Sequence, residues 1–510
     1  MKRHQNRYVI FAVGVFACWL CASCVTVKRN NKNIYALWTE TELQKDVDFL
    51  HKKLQKLHPN LYWYISKEAL DYKFDSLKST LTTPMTSNEF YYRISPVLAS
   101  IRQGHNMIVP LVEKIPRKEL KLYKGKGTNP LLQFKYELFD EKLYIVKNNS
   151  ADTTIRIGAE IVAINGITPQ EIYKNHLPSF ASDGYNKTHF PHLFANSFSV
   201  FYQFQNVKPL LDSVLYRLKY NDTITEHWVC QTKKDTAENL SFWKKLTTDT
   251  TDKKRLTYLE TDSSIALMSI PRFSEIVQFS FYKKSFEQLK NANTQTLIID
   301  LRDNPGGAVR DIRELFSYLT DTSFYLMDKA EVTSRTSLLQ PNDVFKNKSV
   351  VGSVLAVIFY PFKLISMGVT FSKVSQEEDG KYYYSLNGTK LKPHNPSYFK
   401  GDVYVLINGG SFSASSVISS NLHGSKRAVF VGEETGGAYN GCVAGTFYKY
   451  TLPKSKLKGK FGLITTKPFY QTEADGRGVM PDIEVIPTIE DRIAGTDPEL
   501  NAILELLRGR

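Results

Sequence analysis

The sequence predicts a multidomain protein of mixed α+β and α/β class. Its 510 residues exceed the size of one ordinary domain. Apolar residues recur at helical spacing in the first part of the chain and with a period of two from Leu131. After Leu256 strand patterns alternate with helical patterns, as in α/β domains. We therefore expect an N-terminal helical domain at 34–115, a β domain at 116–235, an α/β core at 256–490 and a C-terminal helix at 491–510.

The charge of the chain does not point to nucleic acid. The formal net charge is +15, but the 66 Lys and Arg residues are dispersed along the sequence and form no sustained basic block. A basic surface of this kind suits a protein that works beside an anionic cell envelope. Nucleic acid is therefore excluded as an expected partner.

The first 24 residues predict export. A basic start is followed by an apolar run at 8–20 and then by small residues. Ala22-Ser23-Cys24 resembles a lipobox, in which Cys24 would be lipidated and become the new N-terminus. Cleavage by an ordinary signal peptidase and retention as a membrane anchor are the alternatives. The polar residues 25–33 are expected to be an unstructured tether behind the lipid.

No metal or cofactor is predicted. Cys230 and Cys442 are the two cysteines after residue 24, so there is neither a disulfide framework nor a CxxC pair in that part of the chain. His189 and His192 have a spacing that could suit a metal, but no adjacent Cys, Asp or Glu set completes such a site. The glycines of 432–437 lack the Lys-Ser/Thr ending of a phosphate-binding loop.

Two amphipathic helices are predicted before residue 105. Thr39 and Glu42 form a capping box ahead of an apolar stripe that Pro59 ends. Thr86 and Glu89 form a second capping box, and the stripe that follows them runs into Gly104-His105. These patterns predict a small helical domain in which a histidine directly follows the second helix.

The middle of the chain resembles a PDZ domain. The run Gly158–Gly166 is similar to the glycine-led strand and turn of that fold, and 214–229 would supply the closing strand after an insertion. Asn165-Gly166 between apolar residues is also a hairpin signal by itself, so a generic β-hairpin is the alternative.

The last part of the chain predicts a βα unit and a further apolar segment. A buried strand at Leu297–Leu301 leads to Gly306-Gly307 and then to a helix. The apolar segment 349–371 is long enough to raise a membrane span, but Pro361 and Lys363 interrupt it. We expect a lid or packing helix there.

Ser413 lies where a predicted strand, Asp402–Asn408, passes through a Gly- and Ser-rich turn into an apolar helix. A serine at such a junction is exposed on a tight turn, and the helix N-terminus offers oriented amides to a developing oxyanion. The alternative for a serine at this position is a purely structural helix cap.

Four short motifs follow one another along the second half of the chain, at 300–307, 413–416, 431–437 and 478–482. In this order they resemble the motifs of the tail-specific (C-terminal processing) protease superfamily. The resemblance implies a serine-type peptidase with a crotonase-like catalytic core, a polypeptide substrate and Ser413 as nucleophile. It also implies an oxyanion hole built from the backbone N–H groups of Gly306 or Gly307 and of Ala414.

The resemblance predicts a histidine as the general base, because the chain lacks the lysine that one branch of the superfamily uses. Where the Ser/Lys branch of the superfamily carries its lysine, this chain has Ala438. The branch similar to the tricorn core protease and the retinoid-binding repeats instead has a histidine near the N-terminal helices, which corresponds to His105. A histidine that only caps a helix is the alternative.

The same branch implies a late glutamate that orients the histidine. Glu473 falls near the corresponding distance after the serine, and Asp475 and Glu434 are competitors. The expected function is hydrolysis of envelope or exported polypeptides by a lipid-anchored enzyme. An inactive protein of the same fold that binds peptides or apolar ligands is the alternative, motivated by Ala438 and by Ser416, where glutamate is common.

Overall fold

The computed structural model describes residues 27–209, 211–232, 254–274, 279–339 and 360–509. It confirms the mixed α and β multidomain class. The predicted export signal lies outside the described residues. The helices are α1 (27–35), α2 (Glu40–Leu57), α3 (Lys67–Thr80), α4 (Ser87–Ala99), α5 (Arg117–Lys126), α6 (Pro169–His176), α7 (His189–Asn196), α8 (Phe198–Asn206), α9 (Phe279–Asn291), α10 (Val309–Ser317), α11 (Tyr360–Ser372), α12 (Ala414–Gly424), α13 (Ile489–Ala494) and α14 (Pro498–Arg508).

The strands form four sheets. A five-stranded antiparallel sheet has the order β2-β3-β4-β5-β6, and a six-stranded sheet has the order β17-β14-β13-β9-β8-β7. Two three-stranded sheets have the orders β1-β16-β15 and β10-β12-β11. The strands are β1 (Met107–Val109), β2 (Phe134–Phe139), β3 (Lys142–Asn148), β4 (Glu160–Ile164), β5 (Ser213–Tyr220), β6 (Thr223–Cys230), β7 (Arg255–Tyr258), β8 (Ile265–Ser269), β9 (Thr296–Asp300), β10 (Glu331–Val332), β11 (Val374–Gln376), β12 (Tyr382–Tyr384), β13 (Asp402–Ile407), β14 (Val429–Gly432), β15 (Cys442–Thr451), β16 (Lys458–Thr466) and β17 (Ile483–Glu484).

The N-terminal helices do not have a core of their own. Both predicted capping boxes form, at the starts of α2 and α4. Their apolar stripes, however, pack in one cluster with β15 and β16, which come more than 300 residues later in the chain. β1 pairs with β16, with Met107 opposite Lys460. The segment after α4, which carries His105, is thereby joined to the far end of the chain.

Residues 27–35 differ from the expected tether, because they form the helix α1. Asn30 Nδ2 donates to Val112 O at 3.2 Å, and Asn31 Nδ2 donates to Lys114 O at 2.9 Å. Side-chain amides that bond to a distant backbone segment fix the helix against the body of the protein. The polar composition of this stretch therefore serves hydrogen bonding to the fold.

The β domain is built on the five-stranded sheet. The Asn165-Gly166 turn forms as predicted, with φ of 48° and 82° respectively, a conformation suited to Asn and Gly. Between β4 and β5 the chain inserts α6, α7 and α8, whose aromatic side chains are buried together against the sheet. This insertion carries the loop at 177–188 toward the catalytic part of the molecule.

The six-stranded sheet brings two loops together. Strands β8, β9, β13, β14 and β17 are parallel, and β7 is antiparallel to β8. β9 and β13 are neighbours, with Asp300 opposite Leu406, so their carboxyl ends lie at the same edge. The loops that follow these strands, with Gly306 on one and Ser413 on the other, therefore meet there.

The segment predicted as a lid or packing helix is helical from residue 360, and residues 349–359 lie outside the described part. Most described side chains of α11 are exposed, so this helix does not pack into the core as a packing helix would. Within the ranges that the structure describes, we find no helix with the length and apolar character to cross a bilayer.

Candidate active site

Ser413 has the backbone of a strained nucleophile turn. It stands between β13 and α12 with φ 59° and ψ −118°, values that an L-residue rarely adopts. Its side chain makes no capping hydrogen bond to α12, so the structural helix cap is not its role. A Cβ added at Gly306, whose φ is 93°, would lie 2.7 Å from the Ala414 nitrogen. Because glycine has no Cβ, the loop that contains Gly306 can contact the backbone of the loop that carries Ser413.

His105 lies within hydrogen-bond distance of Ser413, as the sequence predicted. The distance from His105 Nε2 to Ser413 Oγ is 3.2 Å, across 308 residues of sequence. The imidazole stacks on Phe412 at 4.8 Å and on Phe447 at 5.8 Å between ring centroids. Burial lowers the pKa of His105 to about 3, and the charge of Lys460 contributes in the same direction. The resting imidazole is therefore neutral and able to accept the serine proton.

The turn that carries His105 is fixed by contacts from distant segments. Gln103 Oε1 accepts a hydrogen bond from Val443 N at 2.9 Å. Gly104 N donates to Asp183 Oδ1 at 2.6 Å. A Cβ at Gly104 would meet the Phe412 ring at 2.8 Å, so the turn is also packed against the residue before the nucleophile. These contacts set the position of the histidine relative to Ser413.

The backbone donors near Ser413 are not equivalent. Gly306 N already donates to Asn304 Oδ1 at 2.9 Å, so it is not available to an oxyanion in this conformation. In the described part of the chain, no hydrogen-bond acceptor engages the N–H of Gly307 or of Ala414. Ala414 is the first residue of α12, where the helix dipole also favours negative charge. Of the three predicted donors, Gly307 and Ala414 therefore remain candidates for the role.

The structure does not bring Glu473 to His105. The Glu473 side chain is exposed, and among the described residues its carboxylate forms no hydrogen bond to the imidazole. The two competitors are engaged elsewhere. Glu434 accepts two hydrogen bonds from Arg477, and Asp475 accepts from Trp63 Nε1 at 2.6 Å. None of the three predicted carboxylates orients His105 in this conformation.

A carboxylate that the sequence analysis missed lies beside His105 instead. Asp183, in the insertion loop between α6 and α7, is 1% exposed. A ring nitrogen of His105, a carboxylate oxygen of Asp183 and Cys442 Sγ all lie within 4.8 Å of one another. The dipeptide Asp183-Gly184 is typical of an ordinary turn, so no local sequence pattern identifies Asp183 as a site residue.

His189 and His192 have structural partners. His192 Nε2 is 2.8 Å from Glu433 Oε2, and its Nδ1 is 3.1 Å from Asp303 Oδ1. These carboxylates raise the pKa of His192 to about 10 against the effect of burial, so the side chain is an imidazolium that donates to both. His189 stacks on Phe412 at 4.1 Å. The insertion that carries these two histidines thus contacts both the loop after β9 and the loop that carries Ser413.

Family comparison defines the class of this site. Residues 264–485 match the model of "Peptidase family S41". This span contains Ser413, Ala414 and all four sequence motifs, whereas His105 and Asp183 lie outside it. The matched segment therefore resembles the catalytic part of a serine-type peptidase of the tail-specific protease superfamily.

Individual proteins are similar to parts or to most of this chain. "Carboxyl-terminal-processing peptidase 3, chloroplastic" from Arabidopsis thaliana is 24% identical over 233 residues, which are 44% of this chain and 33% of the plant protein. The match thus spans about a third of that relative's length. Solved structures of mature CPAF, and of mature CPAF complexed with lactacystin, are 17% and 16% identical, both with a TM-score of 0.58 and coverage of 92% of this chain and 97% of the other. At these identities the likeness shows the fold alone.

Proposed function

We propose that the chain hydrolyses peptide bonds with Ser413 as nucleophile and His105 as general base. The observation that carries this proposal is the 3.2 Å approach of His105 Nε2 to Ser413 Oγ, made by two segments that come together only through the fold. A serine hydroxyl is a weak nucleophile at neutral pH and needs such a base. The strained backbone at Ser413 supports the same role.

In the proposed reaction, Oγ of Ser413 bonds to the scissile carbonyl carbon while its proton passes to Nε2 of His105. The carbonyl oxygen becomes an oxyanion, and the N–H groups of Ala414 and Gly307 would stabilise it. The tetrahedral intermediate then breaks its C–N bond, and the amine leaves with the proton from Nε2. A water molecule, deprotonated by the same nitrogen, hydrolyses the remaining ester and restores the Ser413 hydroxyl.

The binding-only alternative rested on Ala438 and Ser416. His105 answers the first point, because it can supply the base that a lysine at position 438 would otherwise provide. Ser416 Oγ donates to Ser411 O at 3.1 Å, a bond that supports the turn before the nucleophile. Both departures are therefore compatible with an active site.

Covalent labelling tests the proposal. The purified protein is incubated with a fluorophosphonate probe, and its intact mass is measured. We expect one adduct on the wild type, mapped to Ser413, and none on Ser413→Ala. His105→Ala should label slower by on the order of a thousandfold. Ser76→Ala, an exposed serine on α3, is the control and should label like the wild type. A folded wild type without an adduct would contradict the proposal.

We further propose that the substrates are exported or envelope polypeptides and that the enzyme is held at a membrane by a lipid on Cys24. The motivating observation is the lipobox-like Ala22-Ser23-Cys24. Labelling of cells with a fatty-acid analogue should tag the wild type and Cys21→Ala but not Cys24→Ala. Equal tagging of Cys24→Ala and the wild type would disprove the anchor.

A further inference from the structure

We infer that Asp183 is the positioning residue for His105: its carboxylate holds the Nδ1 side of the imidazole and leaves Nε2 free to accept the proton of Ser413. This inference rests on the proposed function, in which His105 is the base. It assigns the orienting role to the β-domain insertion, in place of Glu473.

Two unsatisfied atoms point to this pairing. His105 uses Nε2 toward Ser413, and its buried Nδ1 has no hydrogen-bond partner among the residues that the structure describes. Asp183 uses Oδ1 toward Gly104, and its Oδ2 is buried with no hydrogen bond of good geometry among the described residues, although the backbone N–H of Ala438 also favours the ionised carboxylate. The two atoms are complementary, because Nδ1 can donate and a carboxylate oxygen can accept, and they belong to one cluster of three residues. Catalytic hydrogen bonds are often long before substrate binds and tighten in the complex.

The Asp183 loop is fixed to the turn that carries His105. Beyond the bond from Gly104 N to Asp183 Oδ1, Gly184 N donates to Arg102 O at 2.9 Å. The Arg102 guanidinium lies 4.4 Å from the centre of the Tyr185 ring. Three consecutive residues of the insertion thus hold the residues just before the histidine, and the carboxylate has a fixed position relative to the imidazole.

The charge of Asp183 determines which nitrogen of His105 is free. When ionised, the carboxylate accepts a hydrogen bond from Nδ1–H, so Nε2 carries a lone pair. When protonated, it donates to Nδ1, and the proton of the neutral ring must then sit on Nε2, which cannot accept from Ser413. Burial raises the pKa of Asp183 to about 7. Labelling of Ser413 should therefore increase as the pH rises through about 7.

Other titratable groups face this pair and must be distinguished from it. Cys442 is the third member of the cluster, and burial raises the pKa of its thiol well above the ordinary value, so it stays neutral across this range. Lys460 and His189 both disfavour a charged His105, and burial lowers the pKa of His189 to about 4. Tyr64, near Asp183, has its pKa raised by burial. The pKa values of Cys442 and Tyr64 are thus shifted upward and that of His189 downward, in each case away from 7.

Asp183→Asn is a sharp test, because the hydrogen bond from Gly104 N should determine which way the new side-chain amide points. The amide oxygen should keep the bond from Gly104 N, which turns the NH2 group toward His105. That group would donate to Nδ1 and force the proton onto Nε2. We expect fluorophosphonate labelling to fall on the order of a thousandfold, with no inflection near pH 7 and little change in thermal unfolding. Glu473→Gln is the control and should keep the wild-type profile.

The tautomer can be read without any activity. In protein labelled with 15N-histidine, with His105→Gln used to assign the signal, the wild type should show Nδ1–H above about pH 7, and Asp183→Asn should show Nε2–H at every pH. This result would support the pairing even if the wild type failed to react with the probe, a failure that counts against the proposed function alone. The inference is overturned if Asp183→Asn keeps the wild-type tautomer, or if it labels with the wild-type rate and pH profile.

Discussion

The proposed nucleophile and the proposed base of this site come from two regions that are built in different ways. Ser413 and Gly306 follow neighbouring parallel strands, so the register of one sheet brings their loops together. His105 and Asp183 lie in segments 78 residues apart that belong to the N-terminal helices and to the β-domain insertion, and they meet by packing. The nucleophile region also lies within the family match at 264–485, and the base region does not.

This difference shows what local sequence can and cannot encode. A strand, a tight turn and a helix start are encoded within about ten residues, so motifs describe the nucleophile region well. The base region depends on contacts such as Gln103 with Val443, which join residues 340 positions apart. We therefore expect substitutions in the two regions to differ in their effects on chemistry, stability and pH dependence.

The largest effect among the following substitutions is expected from Gly306→Ala. The new Cβ would lie 2.7 Å from the Ala414 nitrogen and 2.8 Å from the Ser413 Cβ, and the residue has φ of 93°. It would displace the nucleophile and a donor for the oxyanion, so labelling of Ser413 should fall at least a hundredfold, by the scale of losing one such donor. The measurement is the rate of fluorophosphonate labelling.

Gly495→Ala is the matched control for that experiment. Gly495 also has positive φ, 69°, but a Cβ there would have no atom within 4 Å. It should cost about 1 kcal/mol of folding free energy without slowing the labelling. Equal labelling by both variants and the wild type would show that close contact of the two loops is not required.

An intermediate effect is expected where the two regions are joined by His192. His192→Gln removes the imidazolium that bridges Asp303 and Glu433, and it should lower the free energy of unfolding by on the order of 3 kcal/mol near pH 6. Because the folded pKa of about 10 exceeds the unfolded value, the stabilisation is complete below the unfolded pKa and is lost as the pH rises through about 10. Urea unfolding at several pH values measures this.

His227→Gln provides the control for the bridge. His227 pairs with one carboxylate, Asp152, at the edge of the β domain. Its replacement should lower stability by no more than about 1 kcal/mol. If His192→Gln lowered the free energy of unfolding by the same amount at pH 6 and at pH 10, the bridge to Asp303 and Glu433 would not depend on a charged imidazole.

The smallest effect is expected from Glu473→Gln. The side chain is exposed and forms no hydrogen bond to His105 within the described residues. The labelling rate should stay within about twofold of the wild-type rate. The free energy of unfolding should change by no more than about 0.5 kcal/mol. A large loss of labelling would mean that Glu473 reaches the site in a conformation that substrate induces, and the orienting role would return to it.

Sequence reasoning predicted the class of fold, and it singled out the two residues, Ser413 and His105, that the structure brings within hydrogen-bond distance. Ser413 and His105 each lie at the end of a patterned element, a strand in one case and an amphipathic helix in the other, so each has a local signature. The amphipathic stripe of α2 likewise showed which face is buried. It could not show that the surface covering this face belongs to β15 and β16.

The rest of the site depends on tertiary contacts without a local signature. Asp183 is set beside His105 by the path of the insertion, and Asp-Gly in a loop predicts only a turn. Gly306 was predicted as an oxyanion donor, but the Asn304 side chain occupies its N–H. Glu473 was inferred from its distance after the serine, and sequence distance alone does not determine where an exposed loop places a side chain.

Chemical rescue gives the clearest test of the pairing between Ser413 and His105. His105→Ala removes a ring stacked between Phe412 and Phe447, which leaves a space shaped for imidazole. We predict that added imidazole restores fluorophosphonate labelling of His105→Ala in proportion to its concentration and has no effect on Ser413→Ala. Labelling of His105→Ala at the wild-type rate without imidazole would contradict the account, because Ser413 would then be activated by another group.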